Sequence, residues 1–203
     1  MAPDLIADLI LASQSAIRAE ILTGAGLDFI QIDSGIDEAP IKKTLEQAGE
    51  SPAKMAETLA AAKARSVSLS HPEALVIGAD QVLVCRARAF DKPVDLIEAR
   101  GHLEALRGQV HALETAVAVF QNGSCLWHFE SAPQLEMRKF SDEFLTRYLE
   151  RVGDKALWSV GGYQIEGPGI TLFERIEGDY FSILGLPILP LLTFLRRHGR
   201  AET

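Results

Sequence analysis

Cysteine is scarce in this sequence, and its spacing is not that of a metal site. Only Cys85 and Cys125 are present, and neither lies in a C-x-x-C motif. Isolated cysteines without zinc-ligand spacing predict two reduced thiols, as is usual in reducing compartments. The sequence thus gives no sign of a disulfide framework or a structural zinc site.

Long apolar runs are also missing. Near the N-terminus the apolar residues are interrupted by Asp4 and Asp8, where a signal peptide would instead have a basic segment followed by an unbroken apolar one. The longest later candidate, Phe181 to Leu195, contains a glycine and two prolines, and no run approaches the roughly 20 apolar residues of a membrane span. We therefore expect a cytoplasmic protein that does not bind membranes.

Positive charge is in deficit, because 20 Lys and Arg residues face 28 Asp and Glu residues, for a net charge of −8. Binding a nucleic acid polymer requires a basic surface, so this class of partner is not expected. A few local basic groups can still hold a small anion. The carboxylate surplus is compatible with a site for a divalent cation.

The remaining composition is that of a folded globular chain. Of its 203 residues 47 % are hydrophobic and 24 % are charged, which is enough to bury a core without covalent support. Strand-like and helix-like segments are mixed, and Asn122-Gly123 signals a hairpin. We expect an α/β fold with a mixed β-sheet flanked by helices, as one domain over residues 1–203; the length also allows two lobes around a central cleft.

Several local signals predict where elements begin and which residues they expose. Ser51 before Pro52 and Ser141 before two acidic residues are typical helix starts. His102 is expected on the surface of a helix, and Ile170 to Phe173 is expected to form a short strand.

The first candidate for chemistry follows the apolar run that ends at Ala12. Ser13-Gln14-Ser15 and Arg18 lie where a strand is predicted to turn into a helix. Free backbone N–H groups at a helix start attract anions, and hydroxyls and a guanidinium add donors. Ser15 could equally be only a helix cap.

Carboxylates supply the second and third candidates. Asp80 follows Leu75-Val76-Ile77, and a carboxylate next to so apolar a strand is costly unless it is paired, hydrogen-bonded or metal-bound. A structural aspartate that accepts backbone N–H bonds is the alternative. Asp37-Glu38 follows another predicted strand, and it could also be a solvated turn before Pro40.

A fourth candidate combines Asp91-Lys92-Pro93 with the glycine-rich stretch Gly161 to Gly169, which has Glu166 within it. Glycines allow the backbone to approach a ligand closely, although both segments could be ordinary turns. Together the four candidates join carboxylates, cations, hydroxyls and glycines. That set suits Mg²⁺ and phosphate, yet neither a P-loop nor a G-x-S-x-G motif is present.

The order and spacing of these motifs resemble the Maf family of nucleoside triphosphate pyrophosphatases, over roughly residues 9 to 197. In the N-terminal part the resemblance rests on Leu9 to Arg18 (L-I-L-A-S-x-S-P-R-R in the family) and on the acidic pair Asp37-Glu38. In the middle of the chain it rests on Ile77 to Val82 (I-G-A-D-T/Q-V), Asp91-Lys92-Pro93 (G-K-P) and Leu106 to His111 (L-S-G-R-T-H). The C-terminal block consists of Tyr163 to Gly169, Ile176 to Tyr180 and Gly185-Leu186-Pro187.

This resemblance implies an inosine triphosphatase-like fold, commonly a homodimer. It also implies hydrolysis of a nucleoside triphosphate to the monophosphate and pyrophosphate with Mg²⁺ or Mn²⁺, as housecleaning of non-standard or modified nucleotides. By position, the family's roles fall on eight residues. Asp80, Glu38 and Lys92 would be catalytic, with Glu38 and Asp80 as metal ligands; Ser13, Ser15, Arg18, Lys63 and Glu166 would bind substrate, with Lys92 also on phosphate.

Three positions depart from the family pattern. Ile17 replaces an arginine, Val110 replaces a frequent threonine, and Glu166 replaces a common glutamine. Glu166 together with Gln81 is more similar to the branch that acts on modified or cytidine- and guanosine-type nucleotides than to the dTTP and UTP branch. The alternative function is a non-catalytic or weakly active regulator of septum formation and cell division that acts by binding a partner.

Overall fold

A computed structural model of the chain describes residues 8–202. Asp4, which entered the prediction about the N-terminus, lies outside the described residues. The strands are β1 Leu9–Ala12, β2 Ile30–Ile32, β3 Leu75–Cys85, β4 Arg88–Phe90, β5 Val110–Gln121, β6 Ser124–Ser131, β7 Gln134–Met137 and β8 Phe173–Glu177. The helices are α1 Ala16–Gly24, α2 Glu38–Gln47, α3 Pro52–Ser70, α4 Leu96–Leu106, α5 Asp142–Val152, α6 Tyr180–Ile183 and α7 Ile188–Arg197, with 3₁₀ helices at Gly153–Leu157, Val160–Gly162 and Pro168–Leu172.

The strands form one mixed sheet. Its hydrogen-bonded order is β2-β1-β3-β5-β7-β8, with β4 paired to β3 and β6 paired to β5. β1 runs parallel to β2 and β3, whereas β4, β6, β7 and β8 pair antiparallel with their neighbours. The predicted α/β fold with a mixed sheet and helices is confirmed.

The chain divides into two compact units, and β3 and β5 each continue from one unit into the other. The first unit contains the described residues up to Asp80, Thr115–Ser131 and the residues from Tyr180 onward; the second contains Gln81–Glu114 and Ala132–Asp179. The prediction of one domain over residues 1–203 stays a prediction.

In the first unit, β1 is buried on both faces. Leu9 and Leu11 belong to a cluster that includes Leu191 and Leu195 of α7. Ile10 belongs to a second cluster with residues of α3. All four residues of β1 are therefore apolar and buried, so the strand has no polar position until it ends, and the first polar side chains follow in the turn to α1.

In the second unit, His102 corrects a prediction. It lies in the buried face of α4 with Ala99, Leu103 and Leu106, and only 5 % of its surface is exposed. Its ring packs edge-on against Phe90 at 5.1 Å. The prediction of a surface histidine was wrong because its spacing from the three apolar residues places it on their side of the helix.

The stretch Ile170 to Phe173 also differs from its prediction. The 3₁₀ helix Pro168–Leu172 occupies most of it, and β8 begins only at Phe173. Pro168 at the start favours a helical turn, since its ring fixes φ near the helical value. The apolar residues Ile170, Leu172 and Phe173 alone did not distinguish this helical turn from a strand.

The predicted helix starts at Ser51 and Ser141 and the predicted hairpin turn at Asn122-Gly123 are confirmed. The Ser51 and Ser141 side chains accept hydrogen bonds from Lys54 N and Phe144 N, which caps α3 and α5. Asn122 and Gly123 form the β5–β6 turn with φ of 47° and 75°. Both cysteines are free thiols. None of the helices formed within residues 8–202 has the length and apolar content to cross a membrane.

Candidate active site

The turn between β1 and α1 brings two predicted residues together. Ser13 is buried, and its hydroxyl accepts hydrogen bonds from Ser15 N at 3.2 Å and from Arg18 Nη1 at 3.3 Å. Ser15 occupies the cap position of α1, but its side chain makes no capping hydrogen bond. Capping therefore does not account for the Ser15 hydroxyl, and Ser13 rather than Ser15 organises the turn.

The Arg18 guanidinium joins three segments of the first unit. Besides contacting Ser13, Nη1 donates to Ala79 O at 2.8 Å, and Nε donates to Gly185 O at 2.9 Å. Gly185 has φ of +89°, and a Cβ there would lie 3.1 Å from Arg18 Nη2. Gly185 is thus required by both its backbone conformation and the close guanidinium.

Lys63 of α3 connects the two predicted acids. Its Nζ lies 2.5 Å from Asp80 Oδ1 and 2.8 Å from Glu38 Oε1. Lys63 and Asp80 are buried, whereas Glu38 is half-buried. The Asp80 carboxylate is therefore paired with a cation rather than held by backbone N–H groups alone, and the three side chains form one charged cluster.

Glu38 is positioned by the start of α2, which Asp37 caps. Asp37 caps this helix by accepting a hydrogen bond from Ala39 N at 3.1 Å, so the acidic pair is a helix start rather than a solvated turn. Glu38 is the first residue of the helix and also lies 3.7 Å from Lys42. A carboxylate at this end of a helix is favoured by the backbone dipole.

Gly78 allows α3 to approach β3 closely enough for the Lys63–Asp80 contact. A Cβ at Gly78 would lie 2.7 Å from Ala64 N and closer still to Ala60 O. Both are backbone atoms of α3, so no flexible side chain could move aside.

Gly78→Ala is therefore expected to destabilise the protein by about 1–3 kcal/mol, the usual effect of overpacking a core, and to lower activity because α3 moves. Urea unfolding measures the loss of stability. Gly101→Ala is the control, because Gly101 lies in α4 and a Cβ added there would meet no atom within 4 Å. It should stabilise α4 slightly. Equal stability of Gly78→Ala and wild type would contradict the close-packing argument.

Burial governs the electrostatics of the cluster. Desolvation raises the pKa of Asp80 above its usual value, and the nearby Lys63 and Arg18 oppose this increase. Desolvation likewise lowers the pKa of Arg18, against the attraction of Asp80 and Glu38. A carboxylate with a raised pKa beside cations is typical of a functional proton acceptor.

The cluster also fits a hard divalent cation. Among residues 8–202 no group of three or more His, Cys, Asp or Glu could hold a metal ion. Mg²⁺ in phosphate-processing sites usually takes one or two carboxylates and completes its shell with water and substrate phosphate. Asp80 and Glu38 each place one oxygen within 2.8 Å of the same Lys63 nitrogen, so they can supply such a pair.

Two of the predicted site residues lie outside the first unit. Lys92 lies between β4 and α4 and Glu166 lies between two 3₁₀ helices; both are exposed and belong to the second unit. Their roles, like those of the other site residues, stay predictions.

Sequence reasoning missed Gln31 and the Gly185 carbonyl. Gln31 Nε2 donates to Ser13 O at 2.6 Å. Gly185 is 167 residues from Arg18, its partner. Gln31 lies in a plain strand pattern and the Gly185 contact uses only backbone, so no local signal pointed to either contact.

The chain is similar to one protein family and to several known proteins over nearly its whole length. A family model described as Maf-like protein matches residues 8–198. The chain is 50 % identical to a nucleoside triphosphate pyrophosphatase of Granulibacter bethesdensis, with 94 % of this chain and 96 % of that protein covered. It is 49 % identical to a 7-methyl-GTP pyrophosphatase of Rhizobium meliloti (96 % and 98 % covered) and 49 % identical to a nucleoside triphosphate pyrophosphatase of Rhodospirillum rubrum (96 % of each).

Proposed function

Given that this chain belongs to the Maf family, we propose that it is an enzyme that hydrolyses a nucleoside triphosphate to the monophosphate and pyrophosphate, and so removes non-standard or modified nucleotides. The observation that carries the proposal is the pairing of Lys63 with Asp80 and Glu38, beside the half-buried guanidinium of Arg18. Relatives about 50 % identical over nearly the whole chain are named for this activity. None of these names supports the alternative of a non-catalytic regulator of septum formation.

The reaction requires a water molecule to attack the α-phosphorus. The bond between that phosphorus and the bridging α–β oxygen breaks, and the leaving oxygen departs with pyrophosphate. Asp80 accepts the proton of the attacking water, for which its raised pKa is suited. Lys63 and Arg18, both in the first unit, place positive charge where negative charge develops on the phosphates.

Glu38 and Asp80 would hold a divalent cation, Mg²⁺ or Mn²⁺. When bound, the cation neutralises phosphate charge. Lys63 holds both carboxylates in place, since its Nζ contacts an oxygen of each.

Removing divalent cations is expected to abolish turnover. Excess EDTA should stop pyrophosphate release, and added Mg²⁺ or Mn²⁺ should restore it. Glu38→Gln should raise the Mg²⁺ concentration needed for half-maximal rate, because one charged ligand is lost. Glu46→Gln, on the exposed side of the same helix, is the control. Full turnover in EDTA would refute the metal assignment.

We also propose that the preferred base is a modified guanine of the 7-methylguanine type. Several relatives that are 47–50 % identical are named 7-methyl-GTP pyrophosphatases. Glu166 and Gln81 also resemble the residues of the branch that acts on modified or cytidine- and guanosine-type nucleotides.

The test is a panel of triphosphates assayed for pyrophosphate with Mg²⁺ or Mn²⁺, including GTP, 7-methyl-GTP, CTP, UTP and dTTP. We expect release of pyrophosphate rather than single phosphate, with the highest kcat/KM for 7-methyl-GTP. No release from any triphosphate by folded protein would refute the function. A preference for dTTP or UTP would refute only the base assignment.

We propose a homodimer in the cytoplasm as the working state. The family resemblance supports the homodimer, and the free thiols of Cys85 and Cys125 suit a reducing compartment such as the cytoplasm. Sedimentation equilibrium across a dilution series would test the dimer.

A further inference from the structure

We propose that Gln31 is a positioning residue for the phosphate-binding turn between β1 and α1. It is not among the residues that sequence motifs identify, and it lies on β2, a strand of only three residues. The inference rests on the proposed function, because it concerns how the same site holds phosphate.

The side chain of Gln31 holds backbone carbonyls of the turn. Its Nε2 donates to Ser13 O at 2.6 Å and also lies 3.5 Å from Ser15 O. In the sheet, Gln31 pairs with Leu11 of β1, so the side chain starts two residues before the turn and reaches forward to it. One amide group therefore controls the direction of the Ser13 carbonyl and lies close to the second carbonyl of the turn.

Fixing these carbonyls also fixes the N–H groups of the turn. In a trans peptide the carbonyl and the N–H of the same peptide group point in opposite directions. When Gln31 holds Ser13 O, the Gln14 N–H faces away from the Gln31 amide. Ser15 O accepts from Ala19 N of α1 at 3.2 Å, and this bond, with the Gln31 amide close by, orients the Ala16 N–H. These are N–H groups at the start of α1, the kind that bind phosphate when they are free.

The turn is held from a second direction as well. Arg18 donates to the Ser13 hydroxyl, while Gln31 donates to the carbonyl of the same residue. Ser13 is thus fixed at both its side chain and its backbone. With the amide of Gln31 removed, the Ser13–Gln14 peptide can rotate and its N–H is no longer aimed in one direction.

The test compares Gln31→Leu with a matched variant, Gln121→Leu. Gln121 Nε2 also donates to a backbone carbonyl, that of Glu73, at 3.0 Å in the same unit. Both variants lose one amide-to-carbonyl hydrogen bond, but only Gln31 contacts the turn. Binding of inorganic pyrophosphate with Mg²⁺ is measured by calorimetry, and kcat and KM are measured with the best triphosphate of the panel.

For Gln31→Leu we expect pyrophosphate affinity to fall about fivefold to tenfold, as for loss of one oriented hydrogen bond, and KM to rise by a similar factor with kcat less affected. Gln121→Leu should leave both values at the wild-type level, while thermal unfolding shows similar stability losses in the two variants.

Wild-type pyrophosphate affinity and KM in Gln31→Leu would overturn the proposal, and so would an equal loss of affinity in Gln121→Leu. A wild-type protein that binds no pyrophosphate also overturns it. A wild-type protein that binds pyrophosphate but hydrolyses no triphosphate refutes the proposed function instead, and the difference in affinity between the two variants would still support Gln31.

Discussion

Replacing Asp80 with asparagine is expected to lower kcat by at least about a hundredfold, because asparagine cannot accept the proton of the attacking water and is a poorer metal ligand. The fold should persist. Asp80 is 8 % exposed, and asparagine has nearly the same shape and can still accept a hydrogen bond from Lys63. Lys63 also keeps its contact with Glu38.

Single-turnover kinetics and thermal unfolding, measured on the same sample, separate a loss of catalysis from a loss of stability. Glu57→Gln is the control, because Glu57 lies on the same helix as Lys63 but pairs with Lys54, at 2.6 Å. It neutralises an acid of another ion pair and should leave kcat unchanged. A folded Asp80→Asn protein with near wild-type turnover would rule out Asp80 as the proton acceptor.

His111 is expected to make stability depend steeply on pH. Its ring is buried in the second unit, where Nε2 lies 2.7 Å from the Tyr163 hydroxyl and the ring also packs near Phe173. Among the described residues Nδ1 has no hydrogen-bond partner. Burial lowers the pKa of His111 to about 4.

The direction of this dependence follows from proton binding. Between pH 4 and 6.5 the unfolded chain binds a proton at His111 and the folded chain does not, so stability falls as the pH is lowered through this range. A displacement of about 2.5 pKa units corresponds to about 3 kcal/mol. Above pH 6.5 the contribution is complete, and below pH 4 this residue causes no further loss.

Urea unfolding of wild type and His111→Gln from pH 4 to 7.5 measures this contribution. The variant should be less stable at pH 7, and the difference should shrink as the pH falls, because glutamine does not titrate. His102, whose pKa burial also lowers, adds a dependence of the same sign in both proteins, so only the difference between them is diagnostic. His128→Gln, at an exposed position of β6, is the control. A difference that stays constant with pH would contradict this account of His111.

Local chemistry in the sequence accounts for much of the fold. Ser51 and Ser141 cap helices because their hydroxyls satisfy N–H groups within three residues, and Asn122-Gly123 forms its turn because both residues accept positive φ. The position of Asp80 close to the apolar run Leu75-Val76-Ile77, within β3, was also informative, since an acid there needs a partner. In all these cases, the physical cause lies within a few residues.

The contacts that complete the site join residues that are far apart in the sequence. Lys63 sits in an ordinary helix pattern, and only the family resemblance, not its neighbours in sequence, marked it before the structure paired it with Asp80. Gln31 acts through the carbonyl of a residue 18 positions away. Such partners depend on tertiary packing, which local residue patterns do not specify.

The bond between Arg18 and Gly185 has a consequence for the order in which the chain is made. During synthesis from the N-terminus, Ser13, Arg18, Lys63 and Asp80 emerge long before Gly185, which is 167 residues after Arg18. Until Gly185 is added, the Nε–H donor of Arg18 has no native acceptor. A nascent chain can therefore contain both partners of the Lys63–Asp80 pair early, whereas the complete set of Arg18 contacts must wait until Gly185 has been translated.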